Sequence, residues 1–166
     1  LSLRKALGLS HGFELVLPFV CKLNSNGDFL WGKTYNYPPG FVERSSFLFM
    51  HTTSVDHIQL AGYTSRFGEG NTDYYVVDID SSGTVNWART YGGPQFEEPE
   101  MVQYDNALEE LVMVGTSGSF TTSGVPYPLA MRISASDGTL NGAALYGDTS
   151  VYQPAHFSHS CRVGPD

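Results

Sequence analysis

The chain has 166 residues, of which 41% are apolar and 13% aromatic, enough to fill the core of one domain. Aspartate and glutamate outnumber lysine and arginine by 17 to 9, and the net charge of -8 counts against a nucleic-acid partner, which needs a basic surface. No apolar run approaches the roughly 20 residues of a membrane span, and no signal-peptide core opens the chain, so we expect a processed or truncated protein without a membrane span.

Three segments of the chain repeat one another. Residues 20–35 read VCKLNSNGDFLWGKTY, residues 76–91 read VVDIDSSGTVNWARTY, and residues 130–146 read AMRISASDGTLNGAALY. Trp31 and Trp87 occupy the same place in the first two segments. Such regular spacing is typical of proteins built from stacked structural repeats.

The tyrosine that closes each segment divides the chain into repeats. Residues 36–91 and 92–146 form two whole repeats of nearly equal length. If the four strands of one repeat are lettered A to D in chain order, residues 1–35 are predicted to hold strands B to D of an incomplete first repeat. Residues 147–166 are predicted to hold strand A of a further or closing repeat. The sequence therefore predicts a single array over residues 1–166, with about three repeats that start out of phase.

Each repeat carries the signals of four short strands joined by tight turns. In the third repeat the apolar segments are residues 101–104, 111–115, 129–133 and 139–145. The tripeptides SNG, SSG and SDG, which recur between the last two strands, place a glycine where a short hairpin needs a left-handed residue. Residues 74–77, YYVV, are apolar on both faces, which predicts a sheet covered on both sides. We therefore predict an all-β fold of β-propeller blades, about three four-stranded antiparallel repeats of about 55 residues, with the first blade completed by a C-terminal strand.

A family resemblance rests on residues 62–93. There the pattern GYTSxFGxG precedes an aromatic strand and then DSSGxxxWxxTYGG. This pattern resembles the secreted bacterial and archaeal propeller repeats of the SBBP and delta-60 type, and a more distant likeness to quinoprotein-like repeats covers only the hairpin and its tryptophan. The third repeat departs from the pattern because Gly142 stands where tryptophan is expected. The resemblance implies a secreted or cell-surface propeller and supplies no catalytic residues.

The C-terminal segment is predicted to be an interface strand. Residues 154–163 align with the segment that opens the third repeat, and three blades are fewer than the about four to eight of a typical propeller. We expect this strand to pair with residues 3–9 of an incomplete blade, preferably in a neighbouring molecule, unless the chain is a piece of a longer propeller. The residues of this interface strand are Pro154, His156, Phe157, His159, Cys161 and Val163.

Metal ligation is weighed at three places, and no cofactor is predicted. Oxygen-bearing side chains alternate as in calcium loops, but a plain hairpin turn is the preferred interpretation, because the equivalent turns do not repeat the triplet and no bidentate glutamate follows. These calcium candidates are Asn24, Asn26 and Asp28, the equivalent Asp80 and Asp137, and the weaker set Asn71, Asp73 and Asp78. His156, His159 and Cys161 are zinc-ligand types, but on a strand His156 would face away from the other two.

Several other side chains have two interpretations. Trp31 and Trp87 either stack on sugars or pack between blades. Packing between blades is the simpler interpretation, because both residues occupy the same repeat position. The acidic group is expected to be a solvated rim rather than an acid and base pair, and it comprises Glu97, Glu98, Glu100, Glu109 and Glu110. Cys21 shares its repeat position with Val77 and Met131 and is expected inside, too far from Cys161 for a disulfide.

The predicted function is that of a non-catalytic structural or adhesive module, secreted or at the cell surface, which polymerises by head-to-tail strand donation. The alternatives are a carbohydrate- or protein-binding propeller and part of a quinoprotein-like enzyme. The expected partners are further copies or neighbouring blades of a longer chain, with glycans or a cell-surface protein as further options.

Overall fold

The computed structural model describes residues 17–35, 45–54, 56–65, 68–121 and 125–147, and these residues form ten strands and no helix. The strands in chain order are Phe19–Leu23 (β1), Phe29–Thr34 (β2), Ser45–Ser54 (β3), His57–Thr64 (β4), Asp73–Ile79 (β5), Val85–Tyr91 (β6), Glu97–Asp105 (β7), Glu110–Ser117 (β8), Tyr127–Ser134 (β9) and Leu140–Leu145 (β10). The all-β prediction is confirmed.

The ten strands form three antiparallel units that follow the chain. Strands β1 and β2 form a two-stranded unit, the first hairpin. Strands β3 to β6 form a four-stranded central sheet, and β7 to β10 form a four-stranded C-terminal sheet. In both sheets each strand pairs with its neighbour in sequence, so the predicted four-stranded antiparallel units are present. The described strands do not close into a ring.

The last two strands of each unit are joined by the predicted glycine turn. Gly27, Gly83 and Gly138 have φ of 87°, 76° and 72°, in the left-handed region that suits glycine. The amide of Gly83 donates to the carbonyl of Asp80 at 2.9 Å, and the amide of Gly27 donates to that of Asn24 at 3.0 Å. The third turn is one residue longer, and the amide of Gly138 donates to the carbonyl of Ser134 at 2.9 Å. A turn with a glycine of positive φ thus recurs at the repeat spacing, with the same hydrogen bond in the first two units.

The three units stack face to face, with the central sheet in the middle. Every residue of β5 is buried, and its side chains alternate between two cores. Val77 packs with residues of the first hairpin, including Trp31, whereas Val76 packs with residues of the C-terminal sheet, including Met131. The sheet is therefore covered on both faces, as its run of apolar residues predicts.

Two sequence-based expectations differ from the structure. Strands β7 and β8 begin at Glu97 and Glu110, so they are longer than the predicted apolar segments. Cys21 is exposed, and the prediction of an interior position was wrong. Val77 and Met131 are 0% and 4% exposed because each faces the unit that precedes it in the chain. Cys21 faces the corresponding side of the first hairpin, where the described residues contain no earlier sheet.

Candidate functional site

The units are joined by contacts between side chains of one unit, including the tyrosine that follows its last strand, and the glycine turn of the next unit, and we call each such set of contacts a seam. In the first seam, the hydroxyl of Tyr35 donates to the carbonyl of Gly83 at 3.0 Å. The ammonium of Lys22 and the indole N–H of Trp31 both donate to the carbonyl of Ser81, at 3.0 and 3.3 Å. Three side chains of the first hairpin therefore hold one turn of the central sheet.

The second seam repeats the tyrosine contact of the first with the next unit, but the indole N–H of Trp87, unlike that of Trp31, has no hydrogen-bond partner among the described residues. The hydroxyl of Tyr91 donates to the carbonyl of Gly138, and Nε of Arg89 donates to the carbonyl of Asp137 at 2.8 Å. Tyr91 has the repeat position of Tyr35, which holds the turn of the central sheet in the same way. The sequence period is thus a period of contacts between units, not only of strands.

Glycine is required in both turns because an aromatic ring lies directly on it. A Cβ on Gly138 would stand 2.7 Å from Cζ3 of Trp87 and 2.8 Å from Cδ of Arg89. A Cβ on Gly83 would stand 2.9 Å from Cη2 of Trp31. Such distances are closer than carbon atoms tolerate, so the turns need glycine for space as well as for its positive φ.

Both tryptophans are partly buried and face the following unit. Trp31 packs against the core that contains Val77, and Nζ of Lys33 lies 5.7 Å from the centroid of its ring. Trp87 packs against the core that contains Val76 and Met131. The structure places both rings as the packing interpretation describes, and a sugar that stacked on either ring would compete with the neighbouring turn.

Burial raises the pKa of the Tyr91 hydroxyl, which keeps this group protonated and able to donate well into the alkaline range. We expect Tyr91→Phe to lower the free energy of unfolding by about 1 kcal/mol, since one hydrogen bond across the seam is lost and the ring is kept. Urea denaturation measures the change, and Tyr35→Phe should give a similar loss at the first seam. Unchanged stability in both variants would contradict the role given to the hydroxyls.

A pair of buried carboxylates lies where the central and C-terminal sheets meet. Asp73 and Glu97 are 1% and 0% exposed, and a Cβ on Gly92 would stand 1.9 Å from Oδ1 of Asp73 and 2.4 Å from Oε2 of Glu97. Glu97 accepts hydrogen bonds from the hydroxyl of Ser117 at 2.7 Å and the amide of Gly93 at 2.9 Å. Oδ1 of Asp73 has no hydrogen-bond partner among the described residues. The two carboxyl groups therefore lie close together in the space that a side chain at Gly92 would occupy.

The environment of Asp73 predicts that the stability of the protein depends on pH. Desolvation by burial raises the pKa of its carboxyl, the N–H of Gly70 opposes this, and the charge of Glu97 raises it further. Because its pKa is raised on folding, the Asp73 carboxyl binds its proton more tightly in the folded protein than in the unfolded chain. Its contribution to stability is therefore fully present at pH values below the unfolded-state pKa, and it is lost as the pH rises through the folded-state pKa. We therefore expect Asp73→Asn, which carries no charge, to raise the melting temperature at neutral pH and to flatten its decline from acidic to neutral pH.

Asp80 provides a control of opposite sign for this pH dependence. A hydrogen bond from the Ser82 hydroxyl, followed by one from the Thr84 amide, lowers the pKa of the Asp80 carboxyl. Its stabilising effect is present above the unfolded-state pKa and is lost on acidification. Asp80→Asn should therefore cost stability at neutral pH, where Asp73→Asn adds it. Parallel pH profiles for the two variants would contradict the assignment to Asp73.

The calcium candidates are not assembled around one point. Oδ1 of Asn24 accepts from the amides of Asn26 and Asp28, both at 2.9 Å, so it caps its own turn. Asp80 and Asp137 cap the equivalent turns, and the Thr139 amide lowers the pKa of the Asp137 carboxyl. Within the described ranges no group of three or more histidine, cysteine, aspartate or glutamate side chains could hold a metal ion. His156, His159 and Cys161 lie outside these ranges.

The weaker calcium set is divided between different contacts. Asp78 is 0% exposed and accepts from Nε2 of Gln59 at 2.6 Å and Nδ2 of Asn86 at 2.6 Å, and Nδ1 of His57 lies 3.0 Å from it. Asp73 lies five residues away on β5 and therefore on the opposite face, and Asn71 is exposed. The side chains around Asp78 satisfy a buried carboxylate, which the sequence pattern did not reveal.

The acidic group is only partly a solvated rim. Glu98, Glu100 and Glu109 are exposed, but the expectation was wrong for Glu97 and Glu110, which are 0% and 8% exposed. Oε1 of Glu110 accepts from Nδ2 of Asn141 at 2.8 Å, and its Oε2 pairs with Arg132 at 3.4 Å. These partners lie on β9 and β10 of the same sheet, so the residues next to Glu110 in sequence do not predict them.

A cavity of about 220 Å³ lies between the first two strands of the central sheet and those of the C-terminal sheet. Phe49, Ala61 and Leu111 give it apolar walls, and Gln59 adds a polar group. The rings of His51 and Tyr104, which also line it, stack with centroids 4.5 Å apart. Sequence reasoning missed this cavity because its lining comes from four strands of two repeats.

These features define an all-β protein of stacked antiparallel sheets held together by repeated seams. No family model matches the chain, and no curated protein sequence matches it. No helix capable of crossing a membrane is present in the part of the chain that the structure describes. The predicted interface strand, residues 154–163, and its expected partner, residues 3–9, lie outside the described residues.

Proposed function

We propose that this chain is a non-catalytic structural module of a secreted or cell-surface protein, in which each sheet is one blade of a β-propeller-type array. The observation that carries the proposal is the repeated seam. Trp31 and Trp87, together with the tyrosines four residues after them, contact the turn of the following unit. The side chains best suited to holding a ligand are therefore engaged in joining blades. The extracellular location rests on the resemblance to secreted propeller repeats.

The intrinsic fluorescence of the protein tests this proposal. Trp31 and Trp87 are its two tryptophans, so the emission reports directly on both seams. We expect no saturable change when monosaccharides and short oligosaccharides are titrated into the folded protein, because the rings are held against the next blade. A saturable change in emission that Trp87→Phe removes would overturn the structural assignment. Surface labelling of intact source cells with an antibody against the chain tests the location separately.

A second candidate, ligand binding by the blades, is favoured by the cavity beside Tyr104. An engineered cavity of about 150 Å³ holds benzene, so a volume of about 220 Å³ accommodates one sugar or aromatic ring. The stacked rings of His51 and Tyr104 provide a flat wall for such a ring. A glycan array that gives binding with the unaltered chain and none with Tyr104→Ala would favour this function over the structural one.

A further inference from the structure

The lining of the cavity beside Tyr104 includes a side chain with an unused hydrogen-bond acceptor. Gln59 lines the cavity and is 2% exposed, and its Oε1 is buried without a hydrogen-bond partner among the described residues. Leaving a buried amide oxygen unpaired is costly, and such groups are uncommon in folded proteins. An unpaired acceptor on a residue that lines a cavity points to a hydrogen-bond donor on the molecule that fills the cavity.

The orientation of this amide is fixed by its nitrogen. Nε2 of Gln59 donates to Oδ2 of Asp78 at 2.6 Å and lies 3.5 Å from the carbonyl oxygen of Ala135. Both partners are acceptors, so exchanging the amide nitrogen and oxygen would set one oxygen against another. Oε1 is therefore the atom of the amide that is left over, and it accepts hydrogen bonds but cannot donate them.

The walls of the cavity favour a flat, neutral and largely apolar ligand. Phe49, Val102 and Leu111 are apolar, and the stacked rings of His51 and Tyr104 provide a flat surface. None of the described residues that line the cavity is an aspartate, glutamate, lysine or arginine. The lining thus offers no counter-ion to a charged ligand, which would lose its hydration without compensation.

The polar groups of the lining suit an aromatic ring better than a sugar. A sugar carries several hydroxyl groups, and each of them needs a partner when it leaves water. Among the described side chains that line the cavity, Gln59 is the one with a buried unpaired atom. An aromatic ring with a single N–H or O–H group needs one acceptor, and Oε1 of Gln59 supplies one.

The volume and the surface of the cavity set the size of the ring and its way in. The cavity of about 220 Å³ exceeds the engineered cavity of about 150 Å³ that holds benzene, which leaves room for a second fused ring. Met50 also lines the cavity and is 68% exposed, so the cavity reaches the surface at this side chain. The flexible thioether chain of methionine adapts readily to an entering ligand.

We propose that this cavity binds a small neutral aromatic molecule of about the size of indole, which packs against the rings of His51 and Tyr104 and donates one hydrogen bond to Oε1 of Gln59. This inference rests on the ligand-binding function proposed as the second candidate, and it names the class of ligand. Such binding is compatible with the joining of blades, because Trp31 and Trp87 are not among the described residues that line the cavity.

Two probes of similar shape that differ in one donor test the inference. Indole carries an N–H group, and benzothiophene has a sulfur atom in its place. Saturation-transfer NMR titrations give the dissociation constant of each probe, and we expect both to bind the unaltered chain. Gln59→Met, which keeps the length of the side chain but removes Oε1, should shift the ratio of the two constants by about fivefold against indole, the value of one hydrogen bond.

A second glutamine of the same cavity provides the matched control. Gln103 lines the cavity, and Gln103→Met should leave the ratio of the two dissociation constants unchanged. Circular dichroism checks the fold of Gln59→Met, in which Asp78 keeps Asn86 and His57 as neighbours. A measurement on the unaltered chain needs no variant: the side-chain carbonyl carbon of Gln59 should shift strongly in the NMR spectrum with indole and weakly with benzothiophene.

Two results would overturn the inference, and they differ in what they leave standing. An unchanged ratio in Gln59→Met, or equal shifts of the Gln59 carbonyl carbon with both probes, would remove the role of Oε1 while the cavity still binds aromatic rings. Failure of both probes to bind would remove the ligand class altogether. The glycan array with Tyr104→Ala then decides the ligand-binding function by itself, so the two proposals fail separately.

Discussion

Val77→Asp is expected to unfold the central sheet and, with it, the first hairpin that packs on that sheet. Val77 is 0% exposed, lies in the fully buried strand β5, and packs with Tyr35 and Leu60 in the core beneath the first hairpin. A carboxylate there would be buried between two sheets without a partner, which costs about 4 kcal/mol or more. A loss of that size is a large share of the stability of a small domain.

Thermal denaturation followed by circular dichroism measures this effect. Val85→Asp is the matched control, because Val85 lies on β6 of the same sheet and is 46% exposed. The control should change the free energy of unfolding by no more than about 1 kcal/mol, since a solvated aspartate is not desolvated on folding. A Val77→Asp protein that melts like the control would refute the stacking of the first hairpin on the central sheet.

The sequence predicts the parts of the fold that repeat. Each glycine turn is predicted by its own tripeptide, SNG, SSG or SDG. The two whole repeats, residues 36–91 and 92–146, contain the two four-stranded sheets. The run YYVV at residues 74–77 predicts the fully buried β5, since a strand whose side chains do not alternate between apolar and polar must be covered on both faces. These features are local, so a short stretch of sequence is enough to specify them.

The environment at the ends of the stack is not local, and there the prediction fails. Cys21 has the repeat position of Val77, and pattern alone assigns it the same burial. Its exposure depends on whether another unit covers the face, which the residues around it do not encode. Repeat alignment therefore predicts which way a side chain points more reliably than it predicts what the side chain touches.

The buried polar groups lie outside the repeat pattern for a related reason. Asp73 has Tyr127 as its counterpart in the next sheet, so the carboxylate pair with Glu97 is not repeated. The two acids belong to different sheets, on β5 and β7, and meet only because Gly92 leaves room between them. Charged residues are ordinarily solvated, and that general rule gave the wrong environment for Glu97.

Gly138→Ala is expected to destabilise the protein much more than Gly27→Ala, although both change a turn glycine with positive φ. In either turn an alanine pays about 1 kcal/mol for the left-handed conformation. At Gly138 the added methyl group would also stand 2.7 Å from the ring of Trp87, which adds about 1 to 3 kcal/mol for the displacement of the ring and of Arg89. The total expected loss is about 3 kcal/mol at Gly138 and about 1 kcal/mol at Gly27.

The difference between the two variants isolates the contribution of the seam, because the cost of the turn conformation is common to both. Urea denaturation gives the two losses, and Gly83→Ala should follow Gly138→Ala, since its methyl group would stand 2.9 Å from Trp31. Equal losses at Gly27 and Gly138 would show that the ring of Trp87 does not press on the turn of Gly138.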